Sequence, residues 1–371
     1  MDNKSFETIK RLMSEHETSF YIYDESIISR KVKILKDNFP QFKFLYSIKT
    51  NPFFPIVKHI TSNGFGADAA SPEEVFIGKR AGLSSKDILY STPGKTRRDI
   101  ERTMNKSIII ADSYNELMLI DDVAKKANKH LKVGLRINPD FDMDSKKPIS
   151  SKFGVDQNTL PKHKDLFDSL SNVKIAGIHI HIRSQVLDYK KLYLYYKNIF
   201  ELAVYCKDKL GWNIDFINFG GGLGLVYSIK DDMPLDIEKL SIKCKKLIEE
   251  YNSKINARLI IETGRFVICE AGCYVTPIAD IKESMGVKYL IVEKGLNGFL
   301  RPSIAELLTS NADETRITKS LEPLFTTKDA FEFLIPQGNE DIMEKVSIVG
   351  SLCTGTDVMV KDAILPRAHI G

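Results

Sequence analysis

The chain has 371 residues, 43% of them hydrophobic and 27% charged, with a net charge of +4. These are ordinary globular proportions, enough for one large barrel with an appendage or for two domains. No dense lysine or arginine block suggests nucleic acid or a membrane surface as a partner, and no apolar run approaches the ~20 residues of a membrane span.

The N-terminus, MDNKSFETIKRLMSEHE, is polar and helical in pattern and reads as a helix rather than a signal peptide. Five scattered cysteines lack the paired spacing of a zinc site, so no metal is expected and the thiols read as reduced and cytoplasmic. A short aromatic strand, Ser19–Asp24, follows. Strand and helix patterns then alternate, with strands expected at Phe44–Ser47, Gly66–Ala69, Ile88–Ser91, Ile108–Ala111, Lys132–Ile137, Ile175–His181, Ile214–Phe219 and Arg258–Glu262. Two helix starts are written out: Ser71-Pro72-Glu73-Glu74 and Ser113-Tyr114-Asn115-Glu116 each place a capping serine three residues before a glutamate. Eight such strands over roughly 240 residues fit an α/β fold, a (β/α)8 TIM-like barrel, better than a doubly wound sheet of five or six strands. Past residue 271 the helices fade, and Cys273–Ile281, Lys288–Glu293 and Lys345–Ser351 read as strands of a mostly β domain. Ser303–Glu340 reads as a long loop with one short helix. The expected division is a barrel at 25–271 and a β domain from 1–24 with 272–371.

In such a barrel the chemistry sits where strands end. Lys49 follows the first barrel strand, where burial is expected to lower its pKa towards a nucleophilic amine; a lysine there also commonly snorkels outward. Asp68 ends the second strand. His179 and His181, two residues apart, read as one face of the sixth strand, a stacking histidine and a structural one, with Ser184 just beyond. Gly220-Gly221-Gly222-Leu223-Gly224 follows the seventh strand, and consecutive glycines let backbone N–H groups approach an anion closely; the alternative is a turn chosen for packing. Glu262 ends the eighth strand, where a buried carboxylate needs a cationic or N–H partner; Arg265 or a protonated ring nitrogen would serve. An amine, a phosphate cradle, a carboxylate for a ring nitrogen and a flat imidazole together describe a pyridoxal phosphate site.

Nine segments in order carry a resemblance: YSIKTN at Lys49, GFGADAASPEE at Asp68, RINPD at Arg136, KFG at Lys152, HIHIRSQ at His181, NFGGGLG at Gly220, ETGR at Glu262, GLNGFLRP at Arg301 and GSLCTGTD at Cys353. The chain resembles the fold-type III pyridoxal-phosphate decarboxylases, the ornithine/diaminopimelate decarboxylase group, over essentially its whole length. The resemblance implies an alanine-racemase-like barrel and pyridoxal 5'-phosphate held on Lys49 as a Schiff base. Glu262 would keep the ring nitrogen protonated, His181 would stack on the ring, and Asp68 would lie near the Schiff base. Ser184, Gly220, Gly221, Gly222, Gly264 and Arg265 would hold the phosphate. Cys353 would deliver the proton to Cα from the partner subunit of a homodimer, and Arg301 would bind a substrate carboxylate. A glutamate at position 262 also sets the chain apart from alanine racemases, which resemble it in fold but place an arginine opposite the ring nitrogen.

Four features depart from the family pattern. Thr354 stands where an acidic residue would bind the substrate's distal ammonium, Ala305 replaces the tyrosine of RPxxY, and Arg183 replaces a glycine beside the stacking histidine. The closing Gly-Ala-Tyr segment expected soon after Pro366 does not occur before Gly371, which reads as a truncated β domain. The Cys353-Thr354 pair resembles family members that decarboxylate conjugated amino acids. A modified or conjugated α-amino acid is therefore the expected substrate, with meso-diaminopimelate as the runner-up. A catalytically silent cofactor-binding homologue is a further reading, and a generic sugar-phosphate barrel enzyme is the remaining alternative.

Overall fold

The computed structural model describes residues 3–143, 150–227, 233–311 and 331–371. In chain order its strands are β1 (Phe20–Tyr23), β2 (Phe42–Ser47), β3 (Gly66–Ala69), β4 (Ile88–Tyr90), β5 (Ile108–Ala111), β6 (Leu131–Asn138), β7 (Val155–Asp156), β8 (Val173–His179), β9 (Phe216–Asn218), β10 (Arg258–Thr263), β11 (Gly272–Val275), β12 (Ile278–Ser284), β13 (Val287–Val292), β14 (Asn339–Gly350) and β15 (Val358–Arg367). They fall into two compact units: Glu25–Leu225 with Pro234–Glu270, and Met1–Asp24 with Val226–Met233 and Ala271–Gly371.

The first unit is a closed barrel of eight parallel strands, β2-β3-β4-β5-β6-β8-β9-β10, with β10 returning to β2. That closure decides between the two architectures open to the sequence, because a doubly wound sheet keeps two free edges. Its strands are almost wholly buried, as parallel strands covered by helices must be, and Leu45, Leu89, Ile110, Phe216 and Ile260 meet as one apolar cluster. The closing pair aligns Glu262 with Leu45 and Thr263 with Tyr46. The end of the eighth barrel strand therefore lies beside the end of the first. The helix caps form as expected, since Ser71 accepts from Glu74 N–H and Ser113 from Glu116 N–H. The returning glutamates reach one residue further back than a capping box requires, to the N–H of Ala70 at 2.7 Å and of Asp112 at 3.3 Å.

In the second unit β1 pairs with β11, and β12-β13-β14-β15 form a four-stranded sheet in which only the β13–β14 pair is parallel. Leu290, Val292, Val346, Ile348, Met359 and Leu365 form its core. Residues 20–23 belong here because β11 supplies their hydrogen-bond partners and Glu293 accepts from both Ser19 N–H (2.7 Å) and Ser19 Oγ (2.6 Å). Two expectations need correction. The strand expected over Cys273–Ile281 is two strands broken at Thr276-Pro277, and β15 was not foreseen. The long loop expected from Ser303 instead begins inside a helix, Leu300–Asn311; residues 312–330 lie outside the described residues. No described helix is long and apolar enough to cross a membrane.

Candidate active site

The barrel closure brings Lys49, Asp68 and Glu262 to one rim. Lys49 sits in a single 3-10 turn, Ile48–Thr50, directly after β2. Asp68 lies in β3 paired with Ser47, and Glu262 lies in β10. Lys49 is exposed, whereas Asp68 and Glu262 are 1% and 4% exposed. The expected depression of the Lys49 pKa does not occur. The Asp68 carboxylate, opposed by burial but joined by Glu262, holds the ammonium above its ordinary range. Charge proximity outweighs desolvation at an open strand end.

Asp68 is pushed the other way. Burial and then Glu262 raise its pKa, against Lys49 and a 2.6 Å hydrogen bond from Ser91 Oγ to its Oδ1. Its Oδ2 is buried without a hydrogen-bond partner. Burial works to raise Glu262 as well, but His179, Lys49 and His181 more than offset it and hold this carboxylate ionised, well below the usual range. The donor that meets Glu262 is Asn218, known from the sequence only as the first residue of the NFGGGLG motif. Asn218 Nδ2 donates to Glu262 Oε1 at 2.7 Å, while Asn218 Oδ1 accepts Gly220 N–H at 3.0 Å.

The sixth barrel strand, β8, ends two residues earlier than expected. The strand stops at His179, whose Nε2 lies 3.4 Å from Glu262 Oε1. His181 is two residues beyond, and its Nδ1 accepts Gly221 N–H at 3.2 Å. That bond requires the Nε2–H tautomer, a neutral ring, and burial accordingly lowers the His181 pKa to about 3. Ser184 Oγ stands 3.5 Å from His181 Nε2. Gly220 and Gly221 brace Asn218 and His181, and a Cβ on Gly220 (φ +67°) would lie 2.4 Å from Ile180 O.

Arg136, known from the sequence only as part of a motif, is 7% exposed at the end of β6. It lies 3.6 Å from Asp112, stacks over the Phe153 ring at 4.2 Å, and donates to His181 O at 3.5 Å. Its charge acts on Lys49 and His181 alike, lowering both. Arg183, expected either to contact a ligand or to crowd the rim, pairs with Asp142 at 3.0 Å. Arg301, Cys353 and Thr354 belong to the second unit. Arg301 is exposed near the start of the Leu300–Asn311 helix, while Cys353 and Thr354 are exposed in the loop joining β14 to β15. Ala305 is 3% exposed on that helix.

These groups fit pyridoxal phosphate. An ionised, buried carboxylate is present for a ring N–H, a neutral imidazole is held by its edge, and an amine at the rim faces a carboxylate with one unpartnered oxygen. Among the described residues no cluster of His, Cys, Asp and Glu is placed to hold a metal ion.

Comparison with known proteins agrees with this chemistry. A family profile described as "Pyridoxal-dependent decarboxylase, pyridoxal binding domain" matches residues 25–269. The chain is 30% identical to the L-glutamyl-[BtrI acyl-carrier protein] decarboxylase of Niallia circulans, covering 98% of this chain and 83% of that protein. It is 28% identical to the diaminopimelate decarboxylase of Aquifex aeolicus, covering 98% and 82%. The solved diaminopimelate decarboxylase of Methanocaldococcus jannaschii in co-complex with L-lysine superposes with a TM-score of 0.83 at 26% identity, covering 97% of this chain and 82% of that one. The chain belongs to the pyridoxal-phosphate-dependent decarboxylases of the ornithine/diaminopimelate type and is an amino-acid carboxy-lyase.

Proposed function

We propose that this enzyme decarboxylates an α-amino acid whose distal amine has been masked by conjugation. The observation that carries the reading is Thr354. Its hydroxyl is bonded to Thr356 Oγ1 at 2.9 Å, and a neutral hydroxyl supplies no charge to pair a distal ammonium. Ala305 likewise offers no phenol. The Niallia circulans relative is, by its name, a decarboxylase of a carrier-bound glutamyl group, a conjugated amino acid with no distal ammonium, which supports a substrate that needs no acidic residue at position 354. Diaminopimelate is the second reading, favoured by the Aquifex aeolicus and Methanocaldococcus jannaschii relatives and by the match of Arg301 to a carboxylate-binding arginine.

When bound, pyridoxal phosphate supplies an electron sink for the pair left at Cα as CO2 departs. In this reading Lys49 holds the cofactor covalently and Glu262, ionised and braced by Asn218, faces its ring nitrogen. His181 would present a neutral ring face, and Ser184, Gly220, Gly221, Gly222, Gly264 and Arg265 would hold the phosphate. Asp68 faces the Lys49 nitrogen and keeps it protonated until the cofactor arrives. Arg301 binds a carboxylate of the substrate, and Cys353 returns a proton to Cα across the interface of a homodimer. CO2 release from diaminopimelate, lysine, ornithine and their N-acylated derivatives tests the proposal. Faster turnover of the acylated compounds is expected, and rapid turnover of free diaminopimelate would overturn it. Loss of the yellow absorbance on Lys49→Ala checks the attachment point.

A further inference from the structure

Residues Ser351–Thr356 are all exposed, yet this loop carries both Cys353 and Thr354. One residue ends it and fastens it. Asp357 is 2% exposed, and its Oδ2 accepts Leu352 N–H at 3.0 Å while its backbone carbonyl accepts Gly350 N–H at 2.9 Å. Its own N–H donates to Thr354 O at 3.3 Å. The second carboxylate oxygen, Oδ1, accepts Leu296 N–H at 2.5 Å, in the segment that leads into the helix bearing Arg301. Ser351 Oγ adds a 2.7 Å bond to Glu293 O on the same segment. The space is shaped around this carboxylate: a Cβ on Gly350 would lie 2.1 Å from Asp357 Oδ2, and one on Gly295 would lie 2.3 Å from Oδ1.

We propose that Asp357 is a positioning residue that locks the Cys353–Thr354 loop to the segment preceding Arg301, so that the thiol delivers its proton to one carbon only. This rests on the reading of Cys353 as proton donor. One carboxylate accepts an N–H from each loop, and neither loop has a regular ladder to hold it. Without that anchor the exposed loop is free to sample many conformations. Correct turnover gives CO2 and an amine. If the proton instead lands on the cofactor carbon that carries the substrate nitrogen, one water would hydrolyse the linkage and the turnover would end in CO2, an aldehyde and the amine form of the cofactor. Loop placement therefore has a chemical readout separate from rate.

The experiment uses the holoenzyme with Asp357→Ala, Asp357→Asn and Cys353→Ala. Amide hydrogen exchange is followed over residues 293–299 and 350–357, and the products are followed with diaminopimelate and with its N-acylated derivative. In Asp357→Ala both segments are expected to exchange at least about tenfold faster, the scale of losing hydrogen bonds to one ionised group. The aldehyde share is expected to rise as it does in Cys353→Ala, with Asp357→Asn in between because it keeps one acceptor oxygen. Retained yellow absorbance shows that the barrel site is intact, and Asp357→Asn carries the test if the alanine variant does not fold. Unchanged exchange in the 293–299 segment, or an unchanged aldehyde share where Cys353→Ala raises it, overturns the proposal. A Cys353→Ala enzyme with no extra aldehyde instead overturns the donor reading, and exchange alone then decides whether Asp357 locks the two segments.

Discussion

Asn218 and Glu262 meet at 2.7 Å across the neighbouring strands β9 and β10, and Asn218 takes Gly220 N–H on its other side at 3.0 Å. Asn218 is wholly buried. One amide thus orients the Glu262 carboxylate, which the proposed function sets against the ring nitrogen, and fixes the first residue of the glycine run.

Replacing Asn218 with alanine strands two buried partners, one of them charged, and should destabilise the protein by about 2–4 kcal/mol. Cofactor affinity should fall with it, because Glu262 regains rotamer freedom. Asn218→Asp should be worse, since it sets a second carboxylate against the first. Thermal melts and cofactor titration of the two variants check the order, and an aspartate variant as stable as wild type would contradict it.

Gly264 and Thr50 are a second coupled pair. A Cβ at 264 would lie 2.0 Å from Thr50 Oγ1 and 3.1 Å from Thr50 Cβ, and Thr50 closes the turn that carries Lys49. Gly264→Ala should therefore shift Lys49 and lose about 1–3 kcal/mol, as overpacking does. Thr50→Ala removes the nearer clash, so the double variant should recover much of the cofactor affinity lost by Gly264→Ala alone. Titration of the visible absorbance band measures the coupling. Additive effects would show that the two residues act separately.

How much of this could be read from the chain depends on how far each interaction reaches. The placement of Lys49, Asp68 and Glu262 at the ends of barrel strands was legible because strand periodicity and strand ends are local patterns. Asn218 was not, because its partner is 44 residues away and becomes adjacent only when β9 joins β10. The sign of the Lys49 shift was misjudged for the same reason: burial can be guessed from a strand, but two carboxylates brought from β3 and β10 cannot. Strand β15 escaped because its alternation is interrupted by register shifts against β14 and by Asp362 at φ +58°. Asp357 ends the GSLCTGTD motif, but its partner Leu296 is 61 residues away in the chain, so its anchoring role was not legible either.

His181 makes stability depend on acid. Its folded pKa is lowered from 6.5 to about 3, so between those values the unfolded chain binds a proton that the folded chain refuses. Stability therefore falls as pH drops from about 6.5 towards 3. In His181→Asn, cofactor-free, the melting temperature should fall less steeply between about pH 6.5 and 5, before the carboxylates begin to dominate. Parallel melting curves for the variant and the wild type would show that this ring carries no such penalty.

Thr354 offers the sharpest test of substrate class. Its loop is exposed and its side chain is tied only to Thr356 among the described residues, so a change there should disturb little else. Thr354→Asp places a carboxylate where the ornithine and diaminopimelate enzymes resemble one another in carrying an acid. A hydrogen bond to a charged group contributes about 1.5–3 kcal/mol, so kcat/KM for a free distal amine should rise roughly ten- to a hundredfold. The same variant should lose ground on N-acylated substrates, because the new carboxylate must be desolvated without a cation to meet it. Competition between diaminopimelate and its acylated derivative, read as the ratio of amine products, measures both changes in one vessel. If the ratio stays where the wild type has it, position 354 does not set the charge preference, and the conjugated-substrate reading loses its main support.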